Sequence, residues 1–280
     1  MFLVAGGRGR IARAAVARLL AGGHRVRVAS RRPSEVDFEG VEVFEGDLSK
    51  ADGWRRAFDG VDGALLYADP AGIQSVVDSA SSRLVLISAL GAGGAADDDP
   101  IERMHLAAEA AVRASGLPWT FLRAGGLATN TLQWASSIRA EGVVRAPFRH
   151  AHAALVHEAD VAEIAVRALT TGEHDGKARD LTGPASLTQE QQVAAIAEAI
   201  GADVRFEEIT PGEYRRTLSQ WGDGGLVDTL LGHLRAADGV PQPIAPDFQE
   251  ITGREPASYA RWAADHAADF RDEGTPPAAV

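Results

Sequence analysis

The chain has 280 residues, 45% of them hydrophobic and 24% charged, enough to bury the core of one α/β domain, alone or with a small appendage. A formal net charge of −11 excludes a general nucleic-acid binder, because no extended basic surface could follow a phosphate backbone. The absence of cysteine removes disulfides, thiolate catalysis and cysteine-ligated metal, no apolar stretch reaches membrane-spanning length, and a strand beginning at residue 2 leaves no space for a signal peptide, so a cytoplasmic protein is expected.

The first element, Phe2-Leu3-Val4-Ala5, is an apolar run that reads as a buried strand. It passes through Gly6-Gly7-Arg8-Gly9-Arg10-Ile11-Ala12 into Ala14–Leu20, which reads as a helix. Such a passage is a phosphate trap. Glycines let the backbone turn tightly and approach a ligand, and the free N–H groups and dipole of the helix face its negative charge. The spacing is Gly6-x-x-Gly9-x-x-Ala12 rather than G-x-G-x-x-G, and alanine in the third place still permits close helix–strand contact. Gly6, Gly7, Arg8, Gly9, Arg10 and Ile11 are therefore expected to hold a dinucleotide, the bland alternative being an ordinary glycine-rich βα turn.

Gly22-Gly23 ends the helix, and His24–Ser30 alternates as a second strand. At its C-terminal end an NAD-binding protein places a carboxylate on the ribose 2′-OH. This chain has Ser30-Arg31-Arg32 there and no carboxylate before Glu35. Two guanidiniums suit a 2′-phosphate, so NADP(H) is expected over NAD(H) unless Arg31 and Arg32 form only a solvated basic turn.

The alternation of strands and helices continues. Val41–Gly46 is a third strand running into Asp47-Leu48; Ala51–Phe58 is a helix, Gly63–Ala68 a strand, Ile73–Ser79 a short helix and Arg83–Ser88 a fifth strand. After a glycine-rich acidic loop come helix Ile101–Ser115 and strand Trp119–Arg123. The run Asp97-Asp98-Asp99 before Pro100 suits a helix start. This order predicts a Rossmann-type, doubly wound parallel sheet with ligands at the strands' C-terminal ends.

Past residue 124 the expected elements are helix Thr131–Ala140, short strands at Val143-Val144 and Ala154–Val156, helix Asp160–Leu169, strand Ala178–Leu181, helix Thr188–Ile200 and strand Val204–Glu208. Helices Gly212–Trp221, Leu226–Leu234 and Ala257–Phe270 follow, with capping boxes at Thr188/Gln191 and Asp160/Glu163. The expected organisation is an NADP-binding core over residues 1–150 with returning segments near 151–185. A small, mainly helical subdomain over 186–272 would close over the cofactor on the substrate side, and residues 273–280 would form a frayed tail.

Taken in order, these segments resemble the NmrA-like atypical short-chain dehydrogenases/reductases, a group that includes the second type of NAD(P)H:quinone oxidoreductase. The resemblance rests on the glycine turn, Gly46-Asp47-Leu48, Val85–Ala89, His105–Glu109, Ser115–Arg123, Asn130 with Trp134, Asp160-Val161-Ala162 and Leu181–Pro184, over about residues 2–210. It implies that Asp47-Leu48 bind the adenine, with Asp47 alternatively a helix N-cap, and that the cofactor runs along Tyr67-Ala68 and Ser88-Ala89. Many relatives place a lysine against the nicotinamide ribose where this chain has His105, which is then either a cofactor neighbour and proton donor or a structural histidine.

The Tyr-x-x-x-Lys pair of the main short-chain dehydrogenases is missing, since Tyr67, Tyr214 and Tyr259 have no lysine four residues on. Ser88 keeps the position of a substrate-facing hydroxyl and, with His105, makes the candidate catalytic pair. Leu127, Asn130 and Trp134, with Phe148, would line the substrate; Trp134 as plain core is the alternative. The pairs His150-x-His152 and His157-Glu158 sit in an irregular segment, each with no third ligand at a recognisable spacing, so no metal is expected. The function expected is hydride transfer from NADPH to a quinone or other conjugated carbonyl, as a step of a biosynthetic pathway, because such transfer needs mainly stacking and exclusion of water. The competing function is a non-catalytic NADP-binding sensor of the NmrA type. The partner expected is a small-molecule substrate, with neither nucleic acid nor membrane.

Overall fold

The structure is a computed structural model that describes residues 1–48, 50, 53–69, 72–91, 99–218 and 224–271. The start of the expected helix at 51, Asp97 and Asp98, the end of the helix expected at Gly212–Trp221 and the tail at 273–280 lie outside the described residues. In chain order the elements are β1 (Phe2–Ala5), α1 (Arg10–Ala21), β2 (Val26–Ser30), β3 (Val41–Glu45), α2 (Trp54–Ala57), β4 (Gly63–Tyr67), α3 (Ile73–Asp78), β5 (Arg83–Ala89), α4 (Pro100–Ala114) and β6 (Trp119–Ala124). After them come α5 (Ala135–Glu141), β7 (Val143–Ala146), β8 (His152–Ala153), α6 (Glu158–Thr171), β9 (Lys177–Leu181), β10 (Leu187–Thr188), α7 (Gln189–Ile200), β11 (Arg205–Glu208), α8 (Pro211–Leu218), α9 (Gly224–Ala236), α10 (Asp247–Thr252), α11 (Tyr259–Asp265) and α12 (Ala267–Phe270).

The chain divides into two compact units, at points other than those expected. One comprises Met1–Ala124, Glu158–Leu181 and Pro246–Gly253; the other comprises Gly125–His157, Thr182–Ala245 and Arg254–Val280. The reason is local pairing. The first unit's opening run ends with β6 at Ala124, and Gly125–His157 belongs to the second unit, where β7 pairs with β11 and β8 with β10.

The first unit holds a seven-stranded sheet in the order β3-β2-β1-β4-β5-β6-β9, and every strand pair in it is parallel. It is a Rossmann-type sheet. Alternate residues point to opposite faces: Leu3, Ala5, Ala64, Leu66, Leu84 and Leu86 join Trp54, Ile73, Val76, Ala108 and Val112 in one buried cluster under α2, α3 and α4. Val4, Leu65 and Val85, the residues between them, are fully buried on the other side, where α1 and α6 pack together over the strands. Short α10 packs against β9, where Asp247 takes an ion pair from Arg179 at 2.9 Å and the N–H of Asp180 at 3.1 Å.

Several expected boundaries are corrected. Asp160 does not cap a helix, because α6 begins at Glu158 and places it inside the first turn. Thr188 and Gln191 do form a capping box. Ala154–Val156 is not a strand: the strand is His152–Ala153, and the Leu155 backbone lies so close beneath Gly183 that a Cβ there would meet its carbonyl oxygen at 2.2 Å. The helix expected over Ala257–Phe270 is shortened to start at Tyr259 and is interrupted at His266, and the one over Thr131–Ala140 is a 3-10 segment at Ala128–Trp134 followed by α5.

Candidate functional site

The turn between β1 and α1 is shaped by what its glycines permit. Gly6 has φ +68, a left-handed conformation that a side chain would strain, and a Cβ there would press on the Tyr67 ring at 3.2 Å. Gly7 lies so close to the sheet that a Cβ would meet Val28 Cγ1 at 2.2 Å. Gly9 is the N-cap of α1; no side chain caps this helix and its first turn carries no acid, so no carboxylate of its own competes with a ligand for that end of the helix.

Gly6, Arg8 and Gly9 line a cavity of about 340 Å³ together with Ala29, Ser30, Arg31, Gly46, Asp47, Leu48, Tyr67 and Asp69, along the C-terminal ends of β1, β2, β3 and β4. Of the residues expected to hold a dinucleotide, seven therefore converge: Gly6, Arg8, Gly9, Arg31, Asp47, Leu48 and Tyr67. Ile11 instead faces the core at 4% exposure, Gly7 backs onto Val28, and neither Arg10 nor Ala68 is part of the lining. Asp47 is no helix cap, since α2 begins beyond Gly53. Its turn is pinned by buried Trp54, whose Nε1 donates to the carbonyls of Asp47 at 3.2 Å and Lys50 at 3.0 Å. Burial pushes the Tyr67 hydroxyl well above its ordinary pKa, so it stays protonated.

The end of β2 is more ordered than its sequence suggests. Buried Ser30 accepts the Arg32 N–H at 3.1 Å and donates to the Arg32 carbonyl at 3.2 Å, a local turn that leaves Arg31 on the cavity wall. Arg32 is not part of that wall. Its guanidinium reaches one oxygen of Glu35 at 3.0 Å, while Arg8 from the glycine turn reaches the other at 2.6 Å. The two arginines hold the Glu35 carboxyl below the usual carboxylate range, the Arg32 hydrogen bond being the main cause. Ser30, Gly46, Asp69 and Glu35 were not singled out from the sequence; Glu35 carried a signal, as the first carboxylate after β2 and three residues from Arg32.

At the ends of β5 and β6 lies a second cluster. Ser88 pairs in register with Arg123 and Arg123 with Asp180. Ser88 Oγ donates to Glu109 at 2.8 Å, Arg123 grips the same carboxylate at 2.9 and 2.7 Å, and Arg113 reaches it at 3.1 Å. Glu109 is fully buried. It is the principal residue that sequence reasoning missed: α4 buries Ala108, Glu109 and Val112, a charged side chain between two apolar ones. Burial raises the Asp180 carboxyl pKa, against the pull of Arg123.

Because Ser88 spends its only proton on Glu109, its oxygen can accept a hydrogen bond but has no proton to give a substrate. His105 sits one helical turn before Glu109, on the same face and nearer the C-terminal edge of the sheet. Its Nδ1 is buried without a hydrogen-bond partner. Burial lowers its pKa below the ordinary imidazole value, opposed by the Glu109 charge. Neither Ser88, Ala89 nor His105 lines the cavity of the glycine turn.

The residues expected to face a substrate belong to the second unit. Leu127 bridges to Val156 and precedes the 3-10 segment, Asn130 is exposed, and Trp134 is 6% exposed within a core that includes Ile138, Val144, Ile196 and Trp262. Trp134 therefore takes the core reading. Phe148 has φ 59, rare for a bulky residue, and its carbonyl is held by Gln189 Nε2 at 2.9 Å. Among the described residues no three His, Asp or Glu side chains converge as metal ligands, and no helix is long and apolar enough to cross a membrane.

Comparison with known proteins supplies independent findings. A family model described as NAD(P)H-binding matches residues 6–172. The chain is 35% identical over 283 residues to a (4-alkanoyl-5-oxo-2,5-dihydrofuran-3-yl)methyl phosphate reductase of Streptomyces griseus, covering 98% of this chain and all of that one. It is 28% identical to an NAD(P)H azoreductase of Xenophilus azovorans, over 96% and 99% of the two chains. Among solved structures, an NADPH-dependent quinone oxidoreductase of Escherichia coli shares the fold, with TM-score 0.78 and 21% identity over 95% of this chain and 99% of that one.

Proposed function

The chain belongs to the NAD(P)H-binding family of NmrA-like atypical short-chain dehydrogenases/reductases, and from that premise we propose that it is an NADPH-dependent reductase of electron-poor conjugated acceptors, quinones or unsaturated carbonyl compounds, acting within a biosynthetic pathway. That it is an NAD(P)H-dependent oxidoreductase follows from the family itself. The observation that carries the acceptor class is the Ser88 hydroxyl spent on buried Glu109; the cavity at the glycine turn, with Arg31 on its wall and no carboxylate at the end of β2, supports NADPH.

The chain's residues fit a dinucleotide. The uncapped N-terminus of α1 and the glycine turn supply N–H groups for a pyrophosphate, the Asp47-Leu48 turn an edge for the adenine, and Arg31 a cation for a 2′-phosphate. When bound, NADPH supplies a hydride. The protein's share is to bind, orient and exclude water. Ser88, locked as an acceptor by Glu109, orients an N–H donor and does not act as the acid. His105 is the ionisable group left for a proton at that end, and its lowered pKa keeps most of it neutral at pH 7. Such a site is short of acid catalysis for an ordinary ketone. It suits an acceptor whose negative charge is delocalised after hydride addition and can take its proton from water.

Two relatives reduce electron-poor unsaturated groups by their names, an unsaturated furanone phosphate and an azo compound, which supports the same acceptor class here. The test is NADPH oxidation followed at 340 nm with parallel panels of quinones, unsaturated lactones and simple ketones. Turnover in the first two panels and none in the third is the expected result; turnover of simple ketones alone, or of nothing, overturns the proposal.

A further inference from the structure

Glu35 is an acid beside the cofactor cavity with no counterpart in the expected NADP-binding pattern. Its two oxygens hold two different guanidiniums, one from the glycine turn and one from the segment after β2: Arg8 Nη1 at 2.6 Å and Arg32 Nη1 at 3.0 Å. Arg8 and Arg31 line the cavity; Arg32 does not. Three arginines thus surround the end of the cavity that the β2 turn defines, yet one carboxylate neutralises part of their charge and fixes the direction of two of them. Arg31 alone of the three has no hydrogen-bonding or ion-pair partner among the described residues.

We infer that Glu35 sets the cofactor preference of this protein: it withholds Arg8 and Arg32 from the 2′-phosphate, so that Arg31 is the principal phosphate ligand and NADH remains a usable cofactor. The argument is electrostatic. A phosphate near Arg31 carries close to two negative charges, and a carboxylate bridging the neighbouring arginines both repels it and competes for the same N–H donors. A ribose 2′-OH carries no charge and feels neither effect. All three side chains of the bridge are exposed enough, at about two-fifths or more, for salt to screen the interaction, so its influence is modest and depends on ionic strength.

The inference rests on the NADPH reading above, and the experiment separates the two. Dissociation constants of NADP⁺ and NAD⁺ are measured by calorimetry at 50 mM and 500 mM NaCl for the parent protein, Glu35→Gln and Arg31→Ala. Glutamine keeps the length and an acceptor oxygen, and position 35 lies on an exposed 3-10 turn, so folding is unaffected and circular dichroism checks it. Glu35→Gln is expected to tighten NADP⁺ by roughly two- to fivefold, the scale of one exposed charge interaction, with NAD⁺ changed less than twofold and the gain reduced at 500 mM NaCl. Unchanged or weaker NADP⁺ binding by Glu35→Gln overturns the inference, since Glu35 would then be inert or would preorganise the arginines. If Arg31→Ala does not weaken NADP⁺ selectively, the 2′-phosphate reading itself falls. Selective weakening by Arg31→Ala with no tightening by Glu35→Gln removes only the inference.

Discussion

Replacing Glu109 by alanine tests whether the cluster behind Ser88 is a structural unit. The carboxylate is fully buried and accepts one hydrogen bond from Ser88, two from Arg123 and one from Arg113. Its loss leaves the Arg123 guanidinium, one-fifth exposed, without its bidentate partner and the Ser88 hydroxyl, 3% exposed, without an acceptor. Stranding one partner of a buried ion pair costs about 3–5 kcal/mol, and an unsatisfied hydroxyl about 1–3 kcal/mol. The contributions overlap, because Arg123 can turn toward Asp180, its neighbour across β6 and β9. A total of about 4 kcal/mol is expected. Ser88→Ala, which removes one neutral donor and leaves the carboxylate paired with both arginines, should cost about 1 kcal/mol. Urea unfolding by far-UV circular dichroism reads both, and at a slope of about 3 kcal/mol/M the alanine variant's midpoint should fall by more than about 1 M. A loss below about 1 kcal/mol for Glu109→Ala, or equal losses for the two variants, would refute the buried-pair reasoning.

Gly9→Val should abolish binding of NADP⁺ and NAD⁺ alike while leaving the circular dichroism spectrum intact, because its side chain projects from the N-cap beside the Gly6 carbonyl, 3.2 Å from where its Cβ would sit. Near-normal affinity by calorimetry would make the glycine turn purely structural. His105→Ala should lower kcat by less than the ~10²–10⁴-fold of a full general acid, because most of the imidazole is neutral and the acceptor can take its proton from water. In the parent, the acid-dependent rate should fall as pH rises through a pKa below the ordinary imidazole value, since the proton is lost there, and the variant's profile should be flat; an unchanged limb would exclude His105. His174 is 6% exposed with both ring nitrogens unpartnered, and burial depresses its pKa. The unfolded chain therefore takes up its proton first, near pH ~6.5, and stability present above that pH is lost as pH falls toward the folded pKa. His174→Leu should flatten that loss in urea titrations between pH 7 and 5, and a slope equal to the parent's would show that other groups set it.

How much of this was legible in the sequence depends on the range of the interaction. The passage from β1 through Gly6–Gly9 into α1 is specified within a dozen residues, and the alternation that follows signals a doubly wound parallel sheet; both were readable, whereas the order of the strands, with β9 beside β6, was not. Arg31 was readable as a residue of the cavity at the glycine turn, but its difference from Arg32 was not, because that rests on a Ser30 turn and on Glu35 reaching Arg8 across 27 residues. Glu109 was invisible for a related reason. Its partners come from the ends of β5 and β6, and only strand pairing brings Ser88 and Arg123 to it, so a helical pattern alone assigns a charged residue to solvent. The boundary at residue 150 failed because Gly125–His157 looks like a continuation of the core until β7 is seen to pair with β11, more than fifty residues on.

Ser88 links the structural cluster to the chemistry. An enzyme that reduces a simple carbonyl protonates the developing alkoxide, for instance from a hydroxyl whose proton is free or from a tyrosine acid. Here neither holds: Ser88 donates inward to a carboxylate that two arginines keep in place, and the chain has no tyrosine with a lysine four residues on. A buried, charge-paired anchor of this kind is costly to assemble and rigid once formed. Its effect is to hold an acceptor atom at a fixed point on the edge of the sheet. That serves orientation, which can contribute several kcal/mol to a transfer between two stacked rings, and it gives a developing alkoxide no proton. On the function proposed above, the cluster suits a reaction in which alignment limits the rate and charge is dispersed within the acceptor, a condition that simple carbonyl reduction does not meet.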